Sequence, residues 1–432
     1  MARVQFNPQV SFDPYYPTPR VRIARPRVEI YPAPGTMSAP WVYSNLSPHY
    51  DGESKPPEFL ICLEMGLLVR SRQLRHSLST TLREEISARL LQAGIANHIS
   101  SVRRGGGGNS SESYKDWTVS EDLSVPSQAA DHRFGIKLTS PFFRFGPGHA
   151  STWLPRFDVV MTVLNQDFEI TTHHACGTTV HLVPSRGYWI LSEAKRLAVA
   201  ALYFERCFDA LVPPYRRRSV FAKSIRHNGF FSRRRTIPEC VDAIAGSQTD
   251  SFAALAARMN WCAADSATAE AIGLTAKDFP HATFRWNFTG LNPDPHHPHR
   301  GRGTIEFRQP GGVTDAADAV RWTMLVGCFA RLSCAFSIRP HVAPGMANLC
   351  SWLRDEARVC RFGRGYVADM CTMFSRADAV QYGASAGRDA EVISEDEATR
   401  LRWLEMSRCN IGAQKYQDWA KCHPRKRSQR RH

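Results

Sequence analysis

Four short segments of the sequence alternate apolar and polar residues with the two-residue period of a β-strand. They are FLICLEMG (59–66), FGIKLTSP (134–141), CGTTVHLV (176–183) and GTIEFRQPGG (303–312). Because successive side chains of an extended chain point to opposite faces, each segment has one apolar face and one polar face. These segments predict a sheet whose apolar side packs against helices and whose other side carries polar groups that need partners.

The polar faces of these segments carry several charged side chains. If the strands are neighbours, one surface contains Glu64, Lys137, Thr179, His181, Glu306 and Arg308. Burying a charge without a partner costs several kcal/mol, so such a surface predicts a metal, a ligand or an internal ion pair. Carboxylates and an imidazole bind hard divalent cations, and a neighbouring arginine can hold a phosphate group with two hydrogen bonds.

A purely structural interpretation of the same residues stays open. Glu306 and Arg308 could pair with each other across the sheet, and His181 could be an interior histidine held by hydrogen bonds. The joint occurrence of the set, rather than any single residue, favours a functional site.

Helical periodicity is mixed irregularly with the strand-like segments. It covers residues 77–95, 187–212, 314–336 and 346–375, and the pattern over 187–212 predicts one long buried helix. Strands and helices do not alternate strictly, and the glycine fingerprint of a nucleotide-binding parallel sheet does not occur. The pattern predicts an α+β fold with helices packed on one face of a largely antiparallel sheet.

Composition divides the chain into three parts. Residues 1–57 are rich in proline with little apolar periodicity, which predicts a disordered arm. Residues 58–380 contain the patterned segments and predict the folded domain. Residues 381–432 are polar and end in a basic tail, which predicts a flexible region.

The chain is basic, with 55 Lys and Arg against 40 Asp and Glu and a net charge of +15. Much of this charge lies in the basic stretches 214–235 and 421–432. The tail is typical of a solvated end, although such runs also serve in nuclear import or RNA contact. The sequence contains no aromatic and basic motif of a common RNA-binding module. RNA binding therefore ranks below a function of the polar face of the predicted sheet.

Membrane insertion is not predicted. No uninterrupted apolar run approaches the roughly 18 residues that a membrane helix needs, and the N-terminal residues lack the apolar core of a signal peptide. We therefore expect a cytoplasmic protein without a membrane partner, or a nuclear one if the basic tail acts as an import signal.

The order of the motifs resembles the amidoligases, relatives of glutamine synthetase and glutamate-cysteine ligase that join a carboxylate to an amine with ATP. Besides the four strand segments, the resemblance includes WTVSEDLS (117–124), LYFERCFDALVPPYRR (202–217) and FRWNF (284–288). It covers about residues 58–335. Its most specific parts are GTIEFRQPGG and the pairs Ser140-Pro141 and Cys176-Gly177.

The resemblance implies a glutamine synthetase-like catalytic fold with ATP and Mg²⁺ on the polar face of the sheet. The reaction would pass through an acyl phosphate, and the substrates would be a small-molecule or peptide carboxylate and an amine. Charge accumulates on the phosphoryl oxygens and must be met by groups already in place.

The resemblance also implies roles for individual residues. Glu64 and Glu306 would bind the metal together with His181, which would also lie near the nucleotide. Arg308 would clamp phosphate as a catalytic and nucleotide-binding group.

Three further positions are implied more weakly. Lys137 would face the nucleotide. Asp122 and Ser124 match an Asp-x-Ser pattern and would orient a substrate.

The sequence departs from the amidoligase pattern at residues of the implied catalytic site. Leu60 and Cys62 replace the glycine and the first glutamate of Gly-x-Glu-x-Glu, Lys137 replaces the glutamate of Glu-x-x-Ser-Pro, and Thr179 replaces the first histidine of His-x-His. A lysine about 4 Å from a dication would repel it by roughly 8 kcal/mol at an effective dielectric near 20. Lys137 could swing away, lose its proton, or replace the missing cation by pairing with Glu64 or Glu306.

Two functional hypotheses follow. The first is an ATP-dependent carboxylate-amine ligase with a degenerate metal site. The alternative is a catalytically inactive relative that keeps the scaffold to bind a nucleotide, an acidic ligand or RNA.

Overall fold

A computed structural model describes most of the region that the sequence predicts to be folded. The described residues are 4–5, 56–100, 115–217, 219–225, 237–260, 283–291, 303–335 and 345–376. The predicted tail over 381–432 lies outside them, as does the predicted arm over 1–57 apart from residues 4–5 and 56–57.

Eleven strands occur in the described part of the chain. In chain order they are β1 (Val4–Gln5), β2 (Phe59–Ser71), β3 (Asn97–Ile99), β4 (Trp117–Glu121), β5 (Phe134–Thr139), β6 (Phe143–Phe145), β7 (Phe168–Thr171), β8 (Thr178–Pro184), β9 (Tyr188–Trp189), β10 (Trp286–Asn287) and β11 (Ile305–Phe307). Each of the four segments with alternating residues contributes a strand.

The main sheet is built around β2. Its strand order is β10-β11-β8-β2-β5-β4-β3, and β6 and β7 also pair with β2. Every pair is antiparallel except β3 with β4. Strands β1 and β9 form a separate antiparallel pair.

Ten α-helices occur in the described part of the chain. They are α1 (Ser79–Gln92), α2 (Ala150–Asp167), α3 (Leu191–Tyr203), α4 (Glu205–Leu211), α5 (Pro214–Arg217), α6 (Ile237–Ala245), α7 (Phe252–Asn260), α8 (Ala316–Ala335), α9 (Met346–Val359) and α10 (Arg364–Ser375). None of these helices has the length and apolar character needed to cross a membrane.

The helices pack against the apolar side of the sheet, which confirms the predicted α+β class. Alternate residues of β2, β8 and β11 enter one large core together with residues of α2, α3 and α8. The residues of β2, β8 and β11 that are fully buried in this core are Phe59, Ile61, Leu63, Met65, Val69, Val180, Leu182, Ile305 and Phe307. The opposite side chains of the same strands therefore lie on the polar face.

The prediction of one long helix over 187–212 is wrong. Tyr188 and Trp189 form β9, where the Trp189 indole Nε1 donates a hydrogen bond to the carbonyl of Gly303 at 2.9 Å. Farther along, Phe204 leaves helical geometry with φ −93° and ψ 8°, so that α3 ends at Tyr203 and α4 begins at Glu205. Tertiary contacts override the local helical pattern at both points.

Candidate functional site

Strand pairing brings the predicted acidic and imidazole side chains together. Glu306 of β11 is the register partner of His181 of β8, and His181 is in turn the register partner of Cys62, two residues from Glu64. The Nε2 atom of His181 lies 3.3 Å from Glu64 Oε1, and its Nδ1 atom lies 3.7 Å from Glu306 Oε1. His181 therefore sits between the two carboxylates.

Glu306 is almost completely buried, and donors surround its carboxylate. Its Oε2 atom accepts a hydrogen bond from Asn287 Nδ2 at 3.0 Å and another from Arg308 Nη1 at 2.9 Å. Arg308 remains partly exposed, and its Nε atom is buried without a hydrogen-bond partner among the described residues. The pairing of Glu306 with Arg308 occurs along one strand rather than across the sheet.

Lys137 pairs with Glu64, which is one of the alternatives that the sequence left open. Its Nζ atom lies 3.5 Å from Glu64 Oε2, and its side chain is partly exposed. The negative charge of Glu64 raises the pKa of Lys137, assisted by Asp122 and opposed by burial and by Arg308. The lysine therefore keeps its proton and acts as a fixed cation on the polar face.

Asp122 and Ser124 lie at the end of β4, next to this cluster. Asp122 Oδ1 accepts hydrogen bonds from the Ser124 backbone N–H at 2.9 Å and from its hydroxyl at 2.5 Å. A Cβ atom at Gly66 would lie only 2.6 Å from Asp122 Oδ2, so the glycine lets this carboxylate lie against β2. Ser124 holds Asp122 in place within a local turn.

Thr179 and Cys62 occupy positions where the family pattern has metal ligands. Thr179 is buried and lies opposite Glu64 on β8. Cys62 is fully buried, and its thiol donates a hydrogen bond to the Ser140 carbonyl at 3.1 Å. Burial above all, and then the charge of Glu64, raises the pKa of the Cys62 thiol.

The side chains in this arrangement do not fit the expected magnesium site. Both oxygens of Glu64 face cationic or imidazole groups, and Glu306 is engaged by Arg308, Asn287 and His181. Among the described residues, no group of three or more His, Cys, Asp or Glu side chains is arranged to hold a metal ion. Mg²⁺ prefers open, oxygen-only coordination, which these paired carboxylates do not offer.

A buried hydrogen-bond network supports the backbone around Arg308, at the end of β11. The sequence alone did not predict this network. The Arg308 backbone N–H donates to the Arg285 carbonyl at 2.8 Å, and its carbonyl accepts from Arg216 Nη2 at 2.8 Å. Arg285 Nη1 in turn donates to Asp209 Oδ2 at 3.0 Å, and Gln309 Nε2 donates to Asp209 Oδ1 at 2.5 Å. This network fixes the backbone on both sides of the Arg308 side chain.

The sequence feature that indicates this network is a pair of acidic residues in a segment that is otherwise mostly apolar. Glu205 and Asp209 are four residues apart on α4, whose other positions are mostly apolar, and both are buried. Arg216 belongs to the basic stretch 214–235, yet it is only 2 % exposed. That arginine is a structural group and not a surface contact for nucleic acid.

A family model described as "putative amidoligase enzyme" matches residues 71–329, which is more than half of the chain. The match begins at the last residue of β2 and includes Asp122, Lys137, His181, Glu306 and Arg308. A search of the curated proteins found no significant match.

Proposed function

Because this chain belongs to the amidoligase family, we propose that it is an ATP-dependent ligase that joins a carboxylate to an amine. The observation that carries this proposal is the conjunction of Glu64, His181, Glu306 and Arg308 on one polar face. We also infer that the sheet corresponds to the catalytic sheet of glutamine synthetase, with ATP on the side opposite the helices.

The proposed reaction has two steps. A carboxylate oxygen of the acid attacks the γ-phosphorus of ATP, the bond from that phosphorus to the bridging oxygen breaks, and ADP leaves. The nitrogen of the amine then attacks the acyl carbon of the acyl phosphate, the bond to the phosphate oxygen breaks, and the amine loses a proton. Both steps concentrate negative charge on phosphate oxygens, so fixed cations favour them.

Arg308 and Lys137 are the cations that this chain supplies to those oxygens. Arg308 is held by Glu306 at one Nη atom, and its partly exposed guanidinium group suits a further hydrogen bond to a phosphoryl oxygen. Lys137 adds a protonated ammonium group from β5, without the Lewis acidity of a metal. Asp122 lies close to Lys137 and would contact the acid or amine substrate.

The second candidate is a binding scaffold without ligase activity. The Lys137–Glu64 ion pair favours it, because an internal cation occupies the place where the family pattern has a carboxylate ligand. Such a protein would still attract a nucleotide or another acidic ligand through Lys137 and Arg308.

One experiment separates the two functions. We would measure ADP and phosphate release from Mg·ATP over a panel of acids and amines, using the wild-type chain and the variants Glu306→Gln and Arg308→Ala. Release that requires an amine and is lost in both variants supports the ligase. The matched control is Arg358→Ala, since Arg358 lies on the exposed surface of α9 and should not affect turnover.

The outcome without turnover is equally informative. The binding scaffold is supported if no acid or amine of the panel gives ADP release and ATP still raises the melting temperature. Arg308→Ala should then remove that increase. If no panel member supports release and ATP does not change the melting temperature, the ligase and a nucleotide-binding scaffold are both overturned.

A further inference from the structure

A cavity of about 240 Å³ lies between the connection from β5 to β6 and the helix α2. It is formed where the chain leaves β5, bulges outward at residues 140–142 and rejoins β2 as β6, with α2 beneath. The lining residues are Trp117, Ser140, Pro141, Phe142, Phe143, Arg144, His149, Thr152, Trp153, Arg156 and Phe157.

The walls of this cavity are aromatic and mutually packed. Phe143 stacks on Trp153 with ring centroids 4.7 Å apart and an interplanar angle of 22°. Phe157 packs edge-on against Phe143 at 5.6 Å and against Trp117 at 5.4 Å. Rings that hold one another in this way form the cavity in advance of any ligand, and they favour a flat apolar body.

The charged groups of the cavity are all basic. Arg144, Arg156 and His149 line it, and none of its described lining residues is acidic. The nearest acid on the rim is Glu58, whose Oε2 lies 3.7 Å from His149 Nε2. Arg156 is exposed at the mouth, where a guanidinium can meet a carboxylate with two hydrogen bonds.

We propose that this cavity is a binding site for a small planar carboxylate, an aromatic acid whose ring lies against the partly exposed Phe143 and whose carboxylate meets Arg156. The site is distinct from the Glu64–His181–Glu306 cluster. The inference does not rest on the ligase proposal, because binding is measured without ATP or amine.

The test is isothermal titration of the full chain with benzoate and 1-naphthoate. Benzamide tests the need for the charge, and cyclohexanecarboxylate tests the need for a planar ring. We expect measurable binding of the aromatic acids and at least about tenfold weaker binding of both comparison compounds, since a charged hydrogen-bonded contact and a stacked ring are each worth about that factor.

One variant assigns the binding to this cavity. Arg156→Gln removes the charge at an exposed position that should not disturb folding. We expect it to weaken benzoate binding about fivefold or more. The charge-matched control Arg358→Gln on the surface of α9 should leave the affinity unchanged.

The overturning results are specific. No binding of either aromatic acid by the wild-type chain would end the proposal, and so would an affinity that Arg156→Gln leaves unchanged. Equal affinities for benzoate and cyclohexanecarboxylate would remove the aromatic part of the assignment and thereby the stated ligand class.

Discussion

The ammonium group of Lys137 lies 3.5 Å from the carboxylate of Glu64, across the pairing of β5 with β2. A side-chain cation thus neutralises one of the two carboxylates on the polar face. Because Lys137 balances the negative charge of Glu64, this part of the polar face does not require a divalent cation to do so.

Replacing Lys137→Glu should increase the affinity of the polar face for Mg²⁺. The change removes a repelling cation and adds a carboxylate beside Glu64, so we expect Mg²⁺ to bind at least about tenfold more tightly, measured by isothermal titration and by the increase in melting temperature with Mg²⁺. Lys115→Glu makes the same charge change at an exposed position and should have no such effect. Identical Mg²⁺ affinities in both variants would contradict this account.

Gly66→Ala should displace Asp122 from the polar face. The added methyl group would lie 2.6 Å from Asp122 Oδ2, so either the carboxylate or the strand must shift. We expect a loss of stability of about 1–3 kcal/mol, measured by urea unfolding. Gly365→Ala is the matched control, since a Cβ there meets nothing within 4 Å and alanine favours the helix by up to about 1 kcal/mol. Equal effects of the two substitutions would refute the close approach.

Arg331→Met should strongly destabilise the packing of α8 against α9. Arg331 Nε lies 2.6 Å from Glu356 Oε1, and both side chains are almost fully buried. Removing one partner leaves a buried carboxylate uncompensated, which costs about 3–5 kcal/mol. Chemical denaturation measures this cost.

A double replacement tests the cause of that loss. Arg331→Met combined with Glu356→Leu should recover a large part of the stability, because no isolated charge then remains. Arg358→Ala removes an exposed ion pair with Asp355 and should change stability by less than about 1 kcal/mol. A double variant no more stable than the single one would show that the arginine acts through packing alone.

Cys350 should react slowly with iodoacetamide in the folded chain. Burial, and then the neighbouring thiol of Cys371, raise the pKa of Cys350 to about 12. Because only the thiolate reacts, the alkylation rate should rise about tenfold per pH unit from pH ~7 to pH ~10 without a plateau, as followed by peptide mass spectrometry. The same cysteine in urea should level off near its ordinary pKa. A plateau near pH ~9 in the folded chain would disprove the shift.

The polar face was predictable from the sequence because a strand repeats every two residues. That period places Glu64, His181, Glu306 and Arg308 on the same side once β2, β8 and β11 are neighbours, and the structure makes them neighbours. The pairing of Lys137 with Glu64 was one of three alternatives, and only the register of β5 against β2 selects it.

The supporting network and the aromatic cavity could not be predicted in the same way. Asp209, Arg216 and Arg285 belong to separate segments, and no local period relates a helix carboxylate to the backbone of a distant strand. The cavity depends on a bulge after β5 and on the position of α2, which are tertiary features. The break at Phe204 has the same origin, since residues 187–212 have a continuous helical pattern.

Strand β2 is 13 residues long and pairs with β5 and β6 along one edge and with β7 and β8 along the other. A polypeptide shortened to begin at Ser71 would therefore not be a smaller version of this domain. It would consist of two half-sheets with open inner edges, a state prone to aggregation during expression. Soluble preparations of the domain consequently need a starting point upstream of Phe59.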